Sequence, residues 1–572
     1  MAVTLASDPQ NPANMSNNNT PLAIGSPVFS DPALAALAHS QGALAAWGAA
    51  FAQSGAAAAA GVTGDFAAGW RDETGRVLLV VDRLAIRTLC YRLVDGELRF
   101  APRADQLAGA DPELDLQAIF DYLYFHAIPS PRTVFKGVFR VPPGHCVLFD
   151  GGRLTVVPYW VPAFQVAAGE PSFKALQTEF RTLLRTAVAQ QLDGSKPACF
   201  LSGGTDSSTI AGMVREASGQ AAASYSIGFE AEGYDEMAFA RIAARHFKTD
   251  HHEYYVTPGD LVRSIGDVAA SYDQPFGNSS ALPAYYCAKA ARDDGVSKIL
   301  AGDGGDELFG GNSRYALQRI FGWYGKVPAG LRSGLLEPLF NTRAMSQTPL
   351  LRKGTGYIEQ ARVPMPDRLQ MYNLLRRLGA DAVLTPGFLG NIDQGAPAQQ
   401  QRAVWAQAEA DTELDRTLAF DWRFTLAESD LPKVCGTTQL AGIQVGFPFL
   451  EQAMIDFSMR LPNHYKLKGL KLRWFFKEAL RGFLPDEILT KKKQGFGLPF
   501  GVWALRNAPL MQLAVGSLGS LSTRGIVRPD FIRQLLEVHL PTHPGYYGEM
   551  VWILMMLEQW MQRHAPRFKI AD

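Results

Sequence analysis

Two short stretches bring glycine, hydroxyl and carboxylate residues close enough together to do chemistry: Ser202-Gly-Gly-Thr-Asp-Ser207 and Gly302-Asp-Gly-Gly-Asp-Glu307. In the first, Gly203 and Gly204 let backbone amides converge, Ser202, Ser207 and Ser208 add hydroxyl donors, and the helix expected to follow presents its positive end. That is a place for an oxyanion. The stretch lacks the Gly-Lys-Ser/Thr ending of a nucleoside triphosphate P-loop, and it carries Asp206, which would repel a polyphosphate. A carboxylate there makes sense with Mg2+ between it and the phosphates, because this hard cation takes one or two carboxylates plus phosphate oxygens. The second stretch repeats the arrangement with Asp303, Asp306 and Glu307. Either one alone is as readily an ordinary Gly-rich turn; the two together describe a magnesium pyrophosphate cradle.

Such loops need elements that bring them to one place. Phe173, Leu176, Phe180, Leu183, Leu184, Ala187 and Val188 follow helical spacing. Strand patterns at Ala198 to Leu201, Ala222 to Ile227, His252 to Val256 and Lys298 to Ala301 then alternate with helical ones at Ser207 to Glu216, Asp235 to His246, Leu261 to Tyr272 and Leu282 to Arg292. Alternation of this kind predicts a doubly wound parallel sheet, whose ligands bind beyond the carboxyl ends of the strands. Both loops fall there. From Ser313 onward the pattern is mostly helical, with a basic turn at Lys491 to Gly497 in which Lys491 and Lys492 read as solvated. Between Gly64 and Trp160 the period is instead that of short strands (Arg76 to Val81, Leu98 to Ala101, Val147 to Phe149, Leu154 to Val157), with hairpin turns at Asp95-Gly96 and Asp150-Gly151-Gly152.

The fold class expected is therefore α/β. A low-complexity, Ala-rich segment (1–60, its first 30 or so residues disordered) precedes an antiparallel-sheet domain (61–165) and a parallel-sheet domain with a helical C-terminal part (170–565). The chain has 572 residues, 47% hydrophobic and 19% charged, and its 55 basic and 55 acidic residues leave no field to attract nucleic acid. Five scattered cysteines, Cys90, Cys146, Cys199, Cys287 and Cys435, form no C-x-x-C pair and fit a reducing compartment. No Lys or Arg precedes Arg71, which argues against a secretory or transit leader, and no apolar run reaches the roughly 18 to 20 residues of a membrane span, so a cytoplasmic location is expected.

The first loop resembles the pyrophosphate loop of N-type ATP pyrophosphatases. Together with Tyr225-Ser-Ile-Gly-Phe229, Tyr234-Asp-Glu236, Asp273 to Pro283, Gly302 to Gly311, Arg473, Lys491 to Phe500 and, upstream, Gly64 to Ala67, Val81-Asp-Arg83, Leu89-Cys-Tyr91 and Pro142 to His145, it resembles the asparagine synthetase B family. The resemblance implies an antiparallel α-β-β-α, N-terminal-nucleophile-like glutaminase domain followed by an ATP pyrophosphatase domain. It implies ATP as substrate, with the adenine against Leu201 and Ile227, Ala301 and Gly302 near the ribose and α-phosphate, and Ser202, Gly203, Gly204 and Ser207 on the pyrophosphate. Asp206 and Asp306 would hold Mg2+. A carboxylate would be activated as an acyl adenylate and attacked by an amine, with Asp303 accepting the amine's proton and Lys493 offsetting charge on the phosphates.

The sequence departs from the family twice. Glutamine-dependent members begin with cysteine after the initiator methionine, whereas this sequence reads Met1-Ala2-Val3-Thr4, and no glutamine-binding run is found before Gly64. A degenerate glutaminase domain is expected, with ammonia or a substrate amine as nitrogen donor. The family's Asp, Glu and Arg of the acceptor region are aligned here with Cys435, Gln444 and Gly446, which puts free aspartate as acceptor in question. The leading expectation is an AMP-forming amide ligase acting on a small-molecule or peptide carboxylate, with a homodimer as candidate assembly. A lasso-type peptide macrocyclase or another amidating enzyme is the first alternative, and a catalytically silent scaffold the second.

Overall fold

The computed structural model describes residues 20–165, 171–325, 327–332, 357–491 and 497–570. The chain divides into two compact units, Met1–Glu113 with Ser130–Trp160, and Leu114–Pro129 with Val161–Asp572.

The first unit is built from strands whose side chains alternate between two faces. Its five-stranded antiparallel sheet runs in the order Leu22–Gly25, Phe66–Arg71, Val77–Val81, His145–Asp150, Arg153–Pro158. Phe66, Ala68, Leu78 and Val80 face the helix Ala43–Ser54 and bury Trp47 and Phe51, while Ala67, Leu79 and Val81 face Tyr91, Leu98 and Phe100 of a three-stranded sheet. A helix, a sheet and a second sheet are thus layered through a period of two. The Asp95-Gly96 hairpin forms as expected, both residues having positive φ (52° and 80°), and joins Cys90–Val94 to Glu97–Ala101. The Ala-rich helices Pro32–Gln41 and Ala43–Ser54 are part of this unit, and Leu22–Gly25, inside the tract expected to be disordered, is its edge strand. Pairing with Phe66–Arg71 satisfies a backbone whose own composition promised nothing.

In the second unit the helix Phe173–Gln191 buries Leu176, Phe180, Leu184, Ala187 and Val188, the face its periodicity marked. The sheet is parallel throughout, in the order Asp250–Val256, Ala223–Phe229, Ala198–Phe200, Lys298–Leu300, Gln444–Gly446. From the strand Ala198–Phe200 the chain builds outward to one side and then returns to build on the other, so the switch point lies between Ala198–Phe200 and Lys298–Leu300. Both Gly/Asp loops leave those two strands. The fifth strand, Gln444–Gly446, comes from the stretch expected to be helical. Among the described residues no helix is long and apolar enough to cross a membrane.

Candidate functional site

The helix Thr205–Ser218 starts from Gly204, which supplies no side-chain cap, so its first amides stay available to an anion. The turn before it is held by its own hydroxyls: Ser202 N–H donates to Ser207 Oγ at 3.1 Å, the two hydroxyls lie 3.0 Å apart, and Gly204 N–H donates to Ser202 Oγ at 3.3 Å. Gly203 has φ +69°, and a Cβ on it would lie 2.3 Å from the Ala240 nitrogen. The second loop abuts the first, since a Cβ on Gly302 would lie 2.9 Å from the Ser207 nitrogen. One cleft of about 870 Å³ opens over both loops.

Asp206 and Asp306 meet there on a single guanidinium. Arg473 Nη1 donates to Asp206 Oδ2 at 2.9 Å and to Asp306 Oδ1 at 2.7 Å, and Nη2 donates to Asp206 Oδ1. Arg473 is 6% exposed, lies 4.1 Å over the Phe476 ring, and has φ +53°, a strained value for a residue with a side chain. Burial acts to lower its pKa, but Asp206 and Asp306 outweigh this and raise it. Phe476 is fixed in turn by Phe180, Phe309 and Phe449, ring centroids 5.3 to 5.7 Å away, so one aromatic cluster carries both Arg473 and the short helix Gly305–Phe309. Gly305 and Gly311 leave room for the carboxylates: a Cβ would lie 2.2 Å from Asp206 Oδ1 in one case and 1.7 Å from Asp306 Oδ1 in the other. Two hard oxygen donors side by side beside an open helix N-terminus fit a Mg2+ ion that takes its remaining ligands from phosphate and water.

Asp303 lines the same cleft with Lys433 Nζ 3.6 Å away, and that ammonium also lies 3.0 Å from Asp430. Burial raises the Asp303 pKa and Lys433 opposes the rise. Lys433 itself is held above its ordinary value because Asp430 and Asp303 outweigh its burial. Asp430 ends the π-helical turn Trp422–Asp430, an irregularity common beside functional sites, and Trp422 Nε1 donates to the Glu307 carbonyl at 3.0 Å. Lys491 is the opposite of a solvated residue. Its side chain is 8% exposed, pairs with Glu236 at 2.8 Å, and donates to the Gly203 carbonyl at 3.4 Å. Lys477, half-buried on the cleft wall, has its pKa lowered by burial and then by Arg473.

Leu201, Ser202, Gly204, Asp206, Ser207, Ile227, Gly302, Asp303 and Asp306 all line the cleft. Gly203 and Ala301 stand just behind it, Ala301 N–H donating to the Gly446 carbonyl at 2.8 Å. Lys493 lies outside the described residues. Cys435, Gln444 and Gly446 do not line the cleft: Gln444 and Gly446 belong to the sheet's edge strand, and Cys435 to the helix Leu431–Ala441. A Cβ on Gly446 would lie 2.3 Å from Gln191 Oε1, so that glycine answers to packing. Arg473, Lys477, Asp430 and Lys433 were not singled out as site residues by spacing, because each arrives from a distant helix. The lone signal was Arg473, which carried part of the family resemblance.

Comparison with known proteins agrees with this layout. The family described as "Asparagine synthase" matches residues 179–562, and that described as "Glutamine amidotransferase domain" matches residues 47–160. Asparagine synthetase [glutamine-hydrolyzing] 1 of Bacillus subtilis is 24% identical over 84% of this chain and 74% of its own length. A putative asparagine synthetase [glutamine-hydrolyzing] of Mycobacterium tuberculosis is 25% identical over 80% of this chain and 68% of its own. A second putative asparagine synthetase [glutamine-hydrolyzing], of Methanocaldococcus jannaschii, is 31% identical over 45% of this chain and 51% of its own. The first match takes in most of the second unit, both cleft loops and Arg473: the chain belongs to the asparagine synthase family of ATP-dependent carbon–nitrogen ligases.

Proposed function

We propose that this chain activates a carboxylate with ATP, giving an acyl adenylate and pyrophosphate, and passes the acyl group to ammonia or to an amine carried by a substrate. The observation that carries this reading is the convergence of Asp206 and Asp306, from the loops after the two central strands, on the Arg473 guanidinium in one cleft. Mg2+ held by these carboxylates would supply positive charge against the phosphates. The first amides of Thr205–Ser218, with the Ser202 and Ser207 hydroxyls, bind the leaving pyrophosphate. Leu201 and Ile227 border the adenine, and Ala301 and Gly302 the ribose and α-phosphate. Asp303 takes a proton from the attacking nitrogen, and Lys493 offsets phosphate charge.

The first unit supports a reading of the nitrogen source. Its cysteines, Cys90 and Cys146, are fully buried, and burial pushes the Cys146 thiol up. Neither is exposed to glutamine, which supports ammonia or an amine as donor. The test is ATP–pyrophosphate exchange with a panel of carboxylic acids. Exchange that requires both magnesium and one of the acids is expected; exchange with no acid present, or ADP as the nucleotide product, would contradict the proposal.

A further inference from the structure

The peptide joining Gly203 to Gly204 has a glycine on each side, so neither residue fixes its plane. Gly203 has φ +69° and Gly204 φ −78°. Turning this peptide over changes only the ψ before it and the φ after it, a change that glycine permits at little cost. The two orientations differ greatly for an anion. In a trans peptide the C=O and N–H point to opposite sides. Here the carbonyl faces the Lys491 ammonium at 3.4 Å, while the N–H faces Ser202 Oγ at 3.3 Å, on the side where the Ser202 and Ser207 hydroxyls meet. Turned over, the peptide would set a carbonyl oxygen beside those hydroxyls and repel a phosphate. The lysine that faces the carbonyl is itself held: its ammonium pairs with Glu236 at 2.8 Å and lies 4.5 Å over the Phe239 ring, and its side chain is 8% exposed. Glu236 and Phe239 belong to the start of the helix Met237–Phe247, the helix whose Ala240 nitrogen would meet a Cβ on Gly203.

We propose that Lys491 is a positioning residue that locks the Gly203–Gly204 peptide with its N–H toward the leaving pyrophosphate, acting through the Gly203 carbonyl. The proposal rests on the reading of the first loop as the pyrophosphate's place. Without the lock, two glycines leave the loop free to present either a donor or an acceptor to the phosphates. An ammonium on the carbonyl also polarises the amide, which makes its N–H a stronger donor as charge gathers on the leaving group. The AMP part of the nucleotide, bordered by Leu201, Ile227, Ala301 and Gly302, does not meet this peptide.

The test removes the ion pair whole, since the double variant Lys491→Met with Glu236→Gln leaves no unpaired buried charge and keeps the fold testable where Lys491→Met alone is unstable. Calorimetry on the full chain with magnesium pyrophosphate and, separately, with AMP is the readout. Pyrophosphate affinity is expected to fall about tenfold or more while AMP affinity changes less than about twofold. Adding Gly204→Ala should then recover most of the loss, because φ −78° suits alanine whereas the reversed peptide would force a positive φ on it. A Cβ there would lie 3.3 Å from Ser202 Oγ, a contact that a small turn of the serine relieves. Pyrophosphate affinity unchanged in the double variant, a loss shared equally by AMP, or no recovery with Gly204→Ala would overturn the proposal. Wild type that binds no pyrophosphate would overturn the reading of the cleft itself, and this proposal with it.

Discussion

Replacing Arg473 by Met should unmask the charge that this guanidinium holds in place. Methionine keeps an apolar stem over the Phe476 ring, and the positive φ of 53° is equally strained for either residue, so the loss is that of the guanidinium. The legs of 2.9 and 2.7 Å from Nη1 put an Asp206 oxygen and an Asp306 oxygen no more than about 5.6 Å apart. Two unit charges at that separation repel by about 3 kcal/mol at an effective dielectric constant of about 20, close to the roughly 3 to 5 kcal/mol for breaking a buried ion pair. The variant should therefore melt several degrees below wild type in chelator, and millimolar magnesium should restore most of the difference, because a divalent cation can take the vacated place. Wild type should gain little from magnesium alone. Thermal melting of both proteins, with and without the metal, reads this directly. A loss of the same size under both conditions would show that Arg473 supports only packing and that the carboxylate pair is not a metal's place.

Gly311→Ala puts a Cβ 1.7 Å from Asp306 Oδ1, so the carboxylate must move; magnesium-dependent nucleotide affinity by calorimetry should fall about tenfold or more while circular dichroism stays unchanged. Lys491→Met leaves Glu236 buried without its partner, and urea unfolding should show a loss of about 3 kcal/mol or more, where a solvated lysine would cost almost nothing. Lys493→Ala should keep nucleotide affinity while product formation falls by about 10² to 10³, and Asp303→Asn should likewise slow amide formation more than it weakens nucleotide binding. Losses of affinity in proportion to activity would remove the catalytic roles given to these two residues.

The residues visible in the sequence were those whose function is local. Hydroxyls and glycines that shape a turn, Asp95-Gly96 in a hairpin, and the apolar face of Phe173–Gln191 all act within a few residues of themselves. The strand Gln444–Gly446 has three residues and exists through its pairing with Lys298–Leu300, too short for any period to register. Lys491 looked solvated because its neighbours are lysines, yet its partner Glu236 is brought to it by the fold. Cys435, Gln444 and Gly446 were placed by alignment to the family's acceptor region, which says nothing of their elements: Gln444 and Gly446 stand on the sheet's edge strand, and Cys435 on the helix whose Lys433 and Val434 line the cleft.

Acyl adenylation requires a carboxylate oxygen to attack the α-phosphate, and that oxygen can be followed into the products. An acid that supports pyrophosphate exchange, labelled with ¹⁸O in its carboxyl group, is turned over with ATP and an ammonium salt, and the nucleotide product is examined by mass spectrometry. AMP should carry one ¹⁸O from the acid, with none in pyrophosphate. Unlabelled AMP, or label in inorganic phosphate beside ADP, would contradict it.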